Sequence, residues 1–283
     1  MLSVMAAGPT IHHEAIDWAT RASANGGVIS TTTIRAVSEF CRAVDSAGIR
    51  SAIYRVNPFC GGNLSGCLVP LYRGPTFGGT NYGNATDTNF NFVSADFVET
   101  GATGGLKGNG TNKYLSTGFT SNSLPSATSV HLSASAVAMA TTGDPVLLGS
   151  FNGTAAGLLV LDEFVTGSSA RAFRHGTFAV GTFPLVSSPG ATESHLIGSR
   201  TSSSSASLYR GGSLANSNAT SVTPANNALN IYVFNYGTVS GTPVSTQYSA
   251  SRVRMYSIGT GLNATQAAAF SAAVIAFNNA LGR

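Results

Sequence analysis

From about residue 77 onward, short apolar segments alternate with turns rich in Gly, Ser, Thr and Asn. This rhythm constrains the fold more than any other feature of the chain. Many short strands with turn signals between them are typical of an antiparallel sandwich or barrel. A parallel α/β sheet would need crossover helices between its strands, and no helical pattern lies between these segments. The sequence therefore predicts a mainly β fold.

The apolar segments predict strands over residues 130–138, 146–151, 158–165, 170–175, 194–199, 207–211, 229–236 and 252–258. In the last of them, Val253 and Met255 alternate with Arg252, Arg254 and Tyr256. Because successive side chains of a strand point to opposite faces, we expect a half-buried antiparallel strand here, with one polar face.

The first 75 residues predict helices instead. Residues 14–24 predict one helix, which Asn25-Gly26-Gly27 ends, and residues 30–47 predict a second. The second helix has one apolar stripe, formed by Ile34, Val37, Phe40 and Val44. The only tryptophan, Trp18, lies in the first helix, where we expect it to be a core residue.

The end of the chain predicts a third helix, over residues 264–281. Asn263 is a suitable N-cap, and Gln266 completes a capping box. One face of this helix carries Phe270, Val274, Phe277 and Leu281. We therefore divide the chain into an N-terminal helical docking region, 1–75, and a β-sandwich, 76–283, that includes the terminal helix.

Charge argues against several classes of partner. Only 9% of residues are charged, the net charge is +4, and the two lysines, Lys107 and Lys113, are isolated. Nucleic-acid binding needs a clustered basic face, so we expect none. No apolar run reaches 18 residues, which argues against membrane insertion. Residues 1–9 lack the basic region of a signal peptide, which predicts synthesis and folding in a cytosol.

Few residues suit catalysis. A glycoside hydrolase needs two facing carboxyl groups, whereas the neighbouring Asp162 and Glu163 would point to opposite faces of a strand. These two acids and Glu193 are the ones to inspect for a distant pair. No G-x-S-x-G motif accompanies the histidines, so no serine triad is indicated. We predict no catalytic residue, no cofactor-binding residue and no cofactor.

Metal and phosphate sites are not indicated either. His12 and His13 could bind a metal weakly, but the pattern suggests no third ligand. The cysteines Cys41, Cys60 and Cys67 lack CxxC spacing, so we expect three reduced, partly buried thiols. The glycine-rich residues 101–110 do not fit a phosphate-binding loop and predict a β-turn.

Sugar-binding modules commonly stack a ring on an aromatic side chain. The tyrosines that could serve in this way are Tyr82, Tyr114, Tyr209, Tyr236, Tyr248 and Tyr256. Strand tyrosines are usually packing residues, so the sequence leaves the binding residues unidentified.

Four phrases occur in the order of a known family: residues 108–119 (GNGTNKYLSTGF), 208–214 (LYRGGSL), 231–235 (IYVFN) and 254–262 (RMYSIGTGL). Together they resemble concanavalin A-like (laminin G-like) jelly rolls. Gly211 stands where that family usually has Asn, and Gly211-Gly212 supplies the positive φ that a hairpin turn needs. Many relatives bind calcium through an Asp/Asn-rich loop, but no such set maps onto this chain.

The front of the chain, from residue 17 to 73, begins with Asp17-Trp18 and continues through residues 24–27 (ANGG), a helix, 57–64 (NPFCGGNL) and 68–74 (LVPLYRG). This arrangement resembles proteins of tailed bacteriophages and prophages, including virion structural and host-contact proteins. The resemblance implies a non-enzymatic virion component: a capsid decoration, head-fibre or tail-associated protein. Its expected partners are other copies of itself, other virion proteins and host-surface glycans. Two alternatives stay open, a carbohydrate-binding adhesin and a glycan hydrolase. Because jelly rolls host many functions, the fold alone does not decide among them.

Overall fold

A computed structural model describes residues 10–187 and 195–283. Its helices are α1 (His13–Ala24), α2 (Thr31–Ser46), the single turn α3 (Leu64–Cys67) and α4 (Ala264–Ala280). The three helices that the sequence predicted are confirmed. The Ser30 hydroxyl accepts a hydrogen bond from the Thr33 amide at 3.0 Å and begins α2. Asn263 and Gln266 form the predicted capping box of α4.

The strands form two sheets, each with eight strands among the described residues. The order of strands in sheet 1 is β13 (Ser213–Asn218), β12 (Ser205–Arg210), β11 (Leu196–Ser202), β6 (Val130–Val137), β16 (Arg252–Gly259), β4 (Gly105–Lys107) and β3 (Phe97–Val98). The eighth strand, β1 (Ile53–Asn57), lies outside this order and pairs with β16. The order of strands in sheet 2 is β10 (Leu185–Ser187), β9 (Ala170–His175), β8 (Leu158–Val165), β7 (Val146–Phe151), β14 (Asn230–Val233), β5 (Tyr114–Thr120) and β2 (Thr88–Phe90). The eighth strand, β15 (Gly237–Thr238), lies outside this order and pairs with β7. All pairings are antiparallel except that of β15 with β7.

The two sheets share one apolar core, so the predicted mainly β class is confirmed. The strands predicted at 146–151, 158–165 and 170–175 have the bounds of β7, β8 and β9. The predicted strand 194–199 corresponds to β11, although its first residue lies outside the described residues. The glycine-rich stretch 101–110 contributes β4, which pairs with β16, and does not lie at the start of a helix as a phosphate-binding loop would.

The helices form a layer on the outer face of sheet 1. A second apolar cluster joins α1, α2 and α4 to side chains of that face, among them Ile197, Tyr209 and Met255. Trp18 is fully buried in this cluster, as the sequence predicted, and its indole Nε1 donates a hydrogen bond to the Val69 carbonyl at 3.0 Å. The order of layers is therefore helices, sheet 1, sheet 2.

Strand β16 corrects one prediction. Its pairing with β6 shifts register between Val253 and Met255, so Val253 and Tyr256 both face the core between the sheets. Met255 faces the helices. The strand is buried on both faces beyond Arg254, not half-buried as predicted, because α4 and its neighbours cover the side that would otherwise meet water.

Strand β1 lies within the segment 1–75 but pairs with β16 near the end of the chain. The first segment therefore shares a sheet with residues beyond 76. Its helices pack on that same sheet and on α4.

A buried ion pair joins β1 to Asp87, the residue just before β2 of sheet 2. Arg55 and Asp87 are both fully buried at their side chains and lie 2.7 Å apart. The Tyr256 hydroxyl accepts a hydrogen bond from Arg55 Nε at 2.9 Å and donates one to Asp87 at 2.8 Å. Asn57 donates a further bond to Asp87 at 2.8 Å. Because every partner is buried, this network depends on all of its members.

The hairpin between β12 and β13 has the turn that the sequence predicted. Gly211 has φ 55° and Gly212 has φ 89°. Two successive residues with positive φ are what a two-residue hairpin turn requires, so side chains with a Cβ would strain this turn.

Candidate functional site

Of the three acids that the sequence nominated, the two that the structure describes, Asp162 and Glu163, do not face each other. Asp162 lies on β8, where its Oδ2 accepts a hydrogen bond from Arg174 Nε at 2.6 Å. Burial raises the pKa of Asp162, and the Arg174 guanidinium opposes that rise. The side chain is 1% exposed, so this carboxylate is held in an ion pair rather than presented to a ligand.

Glu163 points into the protein, opposite to Asp162 as the strand geometry predicted. Its carboxylate accepts hydrogen bonds from the hydroxyls of Ser249 and Ser251. Glu193 lies outside the described residues.

Two histidines form a buried hydrogen-bond chain between sheet 1 and α4. His131 Nε2 contacts the Ser257 hydroxyl at 3.0 Å, Ser257 contacts Ser133 at 2.6 Å, and Ser133 contacts His195 Nε2 at 3.1 Å. His195 Nδ1 contacts the Ser271 hydroxyl of α4 at 2.9 Å. Burial lowers the pKa of His131 to about 4 and that of His195 to about 3. This series of hydrogen bonds contains two neutral imidazoles and no carboxylate, whereas a serine triad needs an acid beside its histidine.

The sequence missed partners for His12. The structure brings Glu14 and Cys41 beside it, and one potential ligand atom of each residue lies within 4.8 Å of the others. His13 does not join them and instead packs edge-on against Phe77, with ring centroids 4.5 Å apart. Burial raises the pKa of the Cys41 thiol to about 12. All three cysteines are free thiols, as predicted, and they are fully rather than partly buried.

An aromatic patch lies on the outer face of sheet 2. Phe90 and Tyr114 are cross-strand neighbours whose rings stack in parallel at 4.3 Å. The Tyr114 ring also lies 5.0 Å from that of Tyr232 and 6.2 Å from that of Tyr248. Because Leu115 points into the core, the adjacent Tyr114 points outward. We call these four rings the aromatic patch.

The aromatic patch is uncharged near neutral pH. Burial raises the pKa of Tyr114 to about 12, and the neighbouring Tyr232 and Tyr248 add to the rise. The Tyr232 hydroxyl donates a hydrogen bond to the Gly241 carbonyl at 3.0 Å, which fixes its ring. Phe90 is 36% exposed and Tyr248 is partly exposed, so a ligand can reach these two rings, whereas Tyr114 and Tyr232 are buried.

Of the nominated tyrosines, Tyr114 and Tyr248 belong to the aromatic patch. Tyr236 packs instead against Phe151, which also contacts the exposed Phe178. Tyr209 and Tyr256 are buried in the two apolar clusters, and the partly buried Tyr82 packs against the core between the sheets. The sequence missed Phe90 and Tyr232. The alternation of Tyr232 with Ile231 and Val233 was a usable signal, since these two neighbours face the core.

A polar cleft opens between α1 and residues 71–81. Arg50 lies over the Tyr72 ring at 3.8 Å and forms an ion pair with Glu14 at 2.8 Å. Asp17 forms an ion pair with Arg21 at 2.8 Å. Both carboxylates of the cleft are therefore engaged with arginines.

A groove lies between α2 and α4. It is lined by Thr32, Arg35, Ala36, Glu39, Phe40, Ala43, Ala273, Ala276, Phe277 and Ala280. Helix α4 carries no charged residue, and its exposed positions are mostly alanines. An uncharged helix face of small residues lets another backbone approach closely, and depletion of charge is typical of the core of a protein interface.

No family model and no curated protein matches this sequence. Among solved structures, Trypanosoma rangeli sialidase is 13% identical with a TM-score of 0.42, and the match covers 84% of this chain and 38% of that one. A variant of NanB sialidase from Streptococcus pneumoniae is 13% identical with a TM-score of 0.40 and covers 56% and 26%. The chain thus spans about two fifths or less of the length of these enzymes. Structural similarity at this level indicates neither a shared fold nor a shared function. No helix among the described residues is both long and apolar enough to cross a membrane.

Proposed function

We propose that this chain is a non-enzymatic structural component of a tailed-phage particle, a capsid decoration, head-fibre or tail-associated protein. Its β-sandwich would be a jelly roll of the concanavalin A-like kind, displayed on the particle. Its helical layer would dock on other copies of the chain and on other virion proteins. The sequence resemblance suggests that the chain belongs to a phage particle. The observation that supports assembly is the groove between α2 and α4.

The groove suits a second copy of the chain. Its floor is apolar, with Phe40 and Phe277, and its rim carries Arg35 and Glu39 one turn apart on α2. In a two-fold contact the same surface meets itself, so Arg35 of one copy could face Glu39 of the other. Low overall charge also suits a protein that spends its life packed in an assembly. Many displayed copies would turn weak surface contacts into useful avidity.

Replacing Ala276 with Arg is expected to dissociate the assembly. Ala276 is exposed on α4 and lines the groove, so a long charged side chain there would block a partner without disturbing the core. The molar mass from light scattering should fall from that of an oligomer to that of a monomer.

Ala24→Arg is the matched control, because Ala24 is an exposed alanine at the end of α1 and does not line the groove. It should leave the oligomer intact. A monomeric wild type whose peptides are also missing from purified virions would contradict the proposal.

A second candidate function is carbohydrate binding, which the aromatic patch favours. An exposed ring beside other aromatic side chains offers an apolar surface on which a sugar ring can stack. Host-surface glycans are the expected class of ligand. This function is compatible with the first, because the patch and the helical layer lie on opposite faces of the molecule. Both nominated acids in the described residues are already engaged, so we do not propose glycan hydrolysis.

Replacing Phe90 with Ala is expected to weaken glycan binding about five-fold to tenfold, the loss of roughly one aromatic contact. Binding would be measured on an array of bacterial surface polysaccharides. Phe77→Ala is the matched control: Phe77 is 54% exposed but lies beside α1, and its loss should leave binding unchanged. Equal loss in both variants would argue against the patch as the binding surface.

A further inference from the structure

We propose that His12, Glu14 and Cys41 form a binding site for a borderline divalent cation such as Zn²⁺, which fastens the start of α1 to α2. Each residue offers a ligand of a type that zinc accepts: an imidazole nitrogen, a carboxylate oxygen and a sulfur. The three potential ligand atoms lie within 4.8 Å of one another. In a tetrahedral zinc site, ligand atoms are about 3.5 Å apart, so an approach of about 1 Å would close the site.

The tautomer of His12 suits a ligand. Its Nε2 lies 3.0 Å from Asp45 Oδ2, and a carboxylate at this position holds the proton on Nε2. The lone pair of Nδ1 then faces inward, where it accepts a long hydrogen bond of 3.3 Å from the Glu14 amide at the start of α1. A bound cation would take this lone pair and replace that hydrogen bond. A carboxylate that orients the far nitrogen of a ligating histidine is a common feature of protein metal sites.

Glu14 can bind a cation and keep its contact with Arg50, whereas Cys41 must first lose its proton. The Glu14 carboxylate is bonded to Arg50, but a carboxylate has two oxygens and about four lone-pair sites, so it can bind a cation as well. Cys41 would bind as the thiolate, and its proton would leave to solvent as the cation enters. The adjoining cleft, lined in part by Glu14, Asp45 and Arg50, provides a path from water.

The charges balance when the cation is bound. A divalent ion with the Cys41 thiolate and the Glu14 carboxylate is neutral. Arg50, which contacts Glu14, and Asp45, which contacts His12, then add one positive and one negative charge beside the site. Among the described residues, neither Cys60 nor Cys67 lies in a group of potential metal ligands as Cys41 does. The site is therefore specific to Cys41.

Titration with Co²⁺, a spectroscopic substitute for Zn²⁺, tests the proposal. Wild-type protein should develop a thiolate-to-cobalt charge-transfer absorption at one ion per chain, and Zn²⁺ should bleach it. Cys41→Ser should abolish this absorption, whereas Cys60→Ser, at another fully buried thiol, should retain it. Absence of the absorption in folded wild-type protein, or its persistence in folded Cys41→Ser, would overturn the proposal.

Two further variants keep the test decisive if Cys41→Ser does not fold. Asp45→Asn, at a half-exposed carboxylate, should weaken Co²⁺ binding about 10- to 100-fold, as loss of an orienting partner does. His12→Ala should abolish it, whereas His13→Ala should bind as the wild type does. Unchanged affinity in folded His12→Ala would also refute the site.

Discussion

Replacing Asp87 with alanine is expected to lower the free energy of unfolding by about 3–5 kcal/mol, the usual effect of removing one partner of a buried ion pair. The Arg55 guanidinium would remain fully buried and lose its counter-charge. The Tyr256 hydroxyl would lose the acceptor to which it donates. Urea unfolding followed by circular dichroism measures the change.

The control is Asp17→Ala, which removes a surface ion pair of similar geometry. The side chains of Arg21 and Asp17 are 23% and 45% exposed, so its loss should cost less than about 1 kcal/mol. Asp87→Asn keeps one acceptor oxygen and should fall between the two. Similar costs for Asp87→Ala and Asp17→Ala would mean that the buried network contributes no special stability.

Acidification from pH 7 to pH 4 is expected to lower the free energy of unfolding by about 3 kcal/mol for each of His131 and His195. In the folded protein the pKa of His131 is lowered to about 4 and that of His195 to about 3, against 6.5 in an unfolded chain. Below pH 6.5 the unfolded chain therefore binds protons that the folded protein does not. This stability is fully present above pH 6.5 and is lost as the pH falls.

His195→Gln isolates the effect of one imidazole. Between pH 4 and pH 6, its unfolding free energy should depend on pH less steeply than that of the wild type, by about 1.4 kcal/mol per pH unit, or one proton. His13→Gln, at an exposed ring, should keep the wild-type slope. An unchanged slope in His195→Gln would show that His195 is not a buried neutral group.

Local patterns were sufficient for the three long helices and for eight of the sixteen strands among the described residues. The capping box of α4 and the glycines of the β12–β13 hairpin are fixed by neighbouring residues, and both appear where the sequence predicted them. Strand β16 could not be predicted in full. Its register shift beside Arg254 and the helices that cover its outer face depend on residues far away in the chain.

The candidate sites were harder to predict for the same reason. Tyr114 was nominated from its residue type, but its neighbour Phe90 follows from the register of β2 and β5. His12 and Cys41 come together only because α1 packs on α2. A metal site assembled from two helices leaves no spacing motif in the sequence, unlike a site whose ligands lie on one turn.

The pairing of β1 with β16 has a consequence for how the chain reaches its fold. Arg55 and its hydrogen-bond partner Tyr256 are 201 positions apart. During synthesis, β1 emerges early, yet its only partner strand among the described residues is made near the end. The apolar faces of α1 and α2 that pack on α4 and sheet 1 therefore stay uncovered until those later elements have been synthesised. Contacts this distant slow folding and expose nascent chains to aggregation, so the yield of native protein depends on how well those faces are shielded until translation ends.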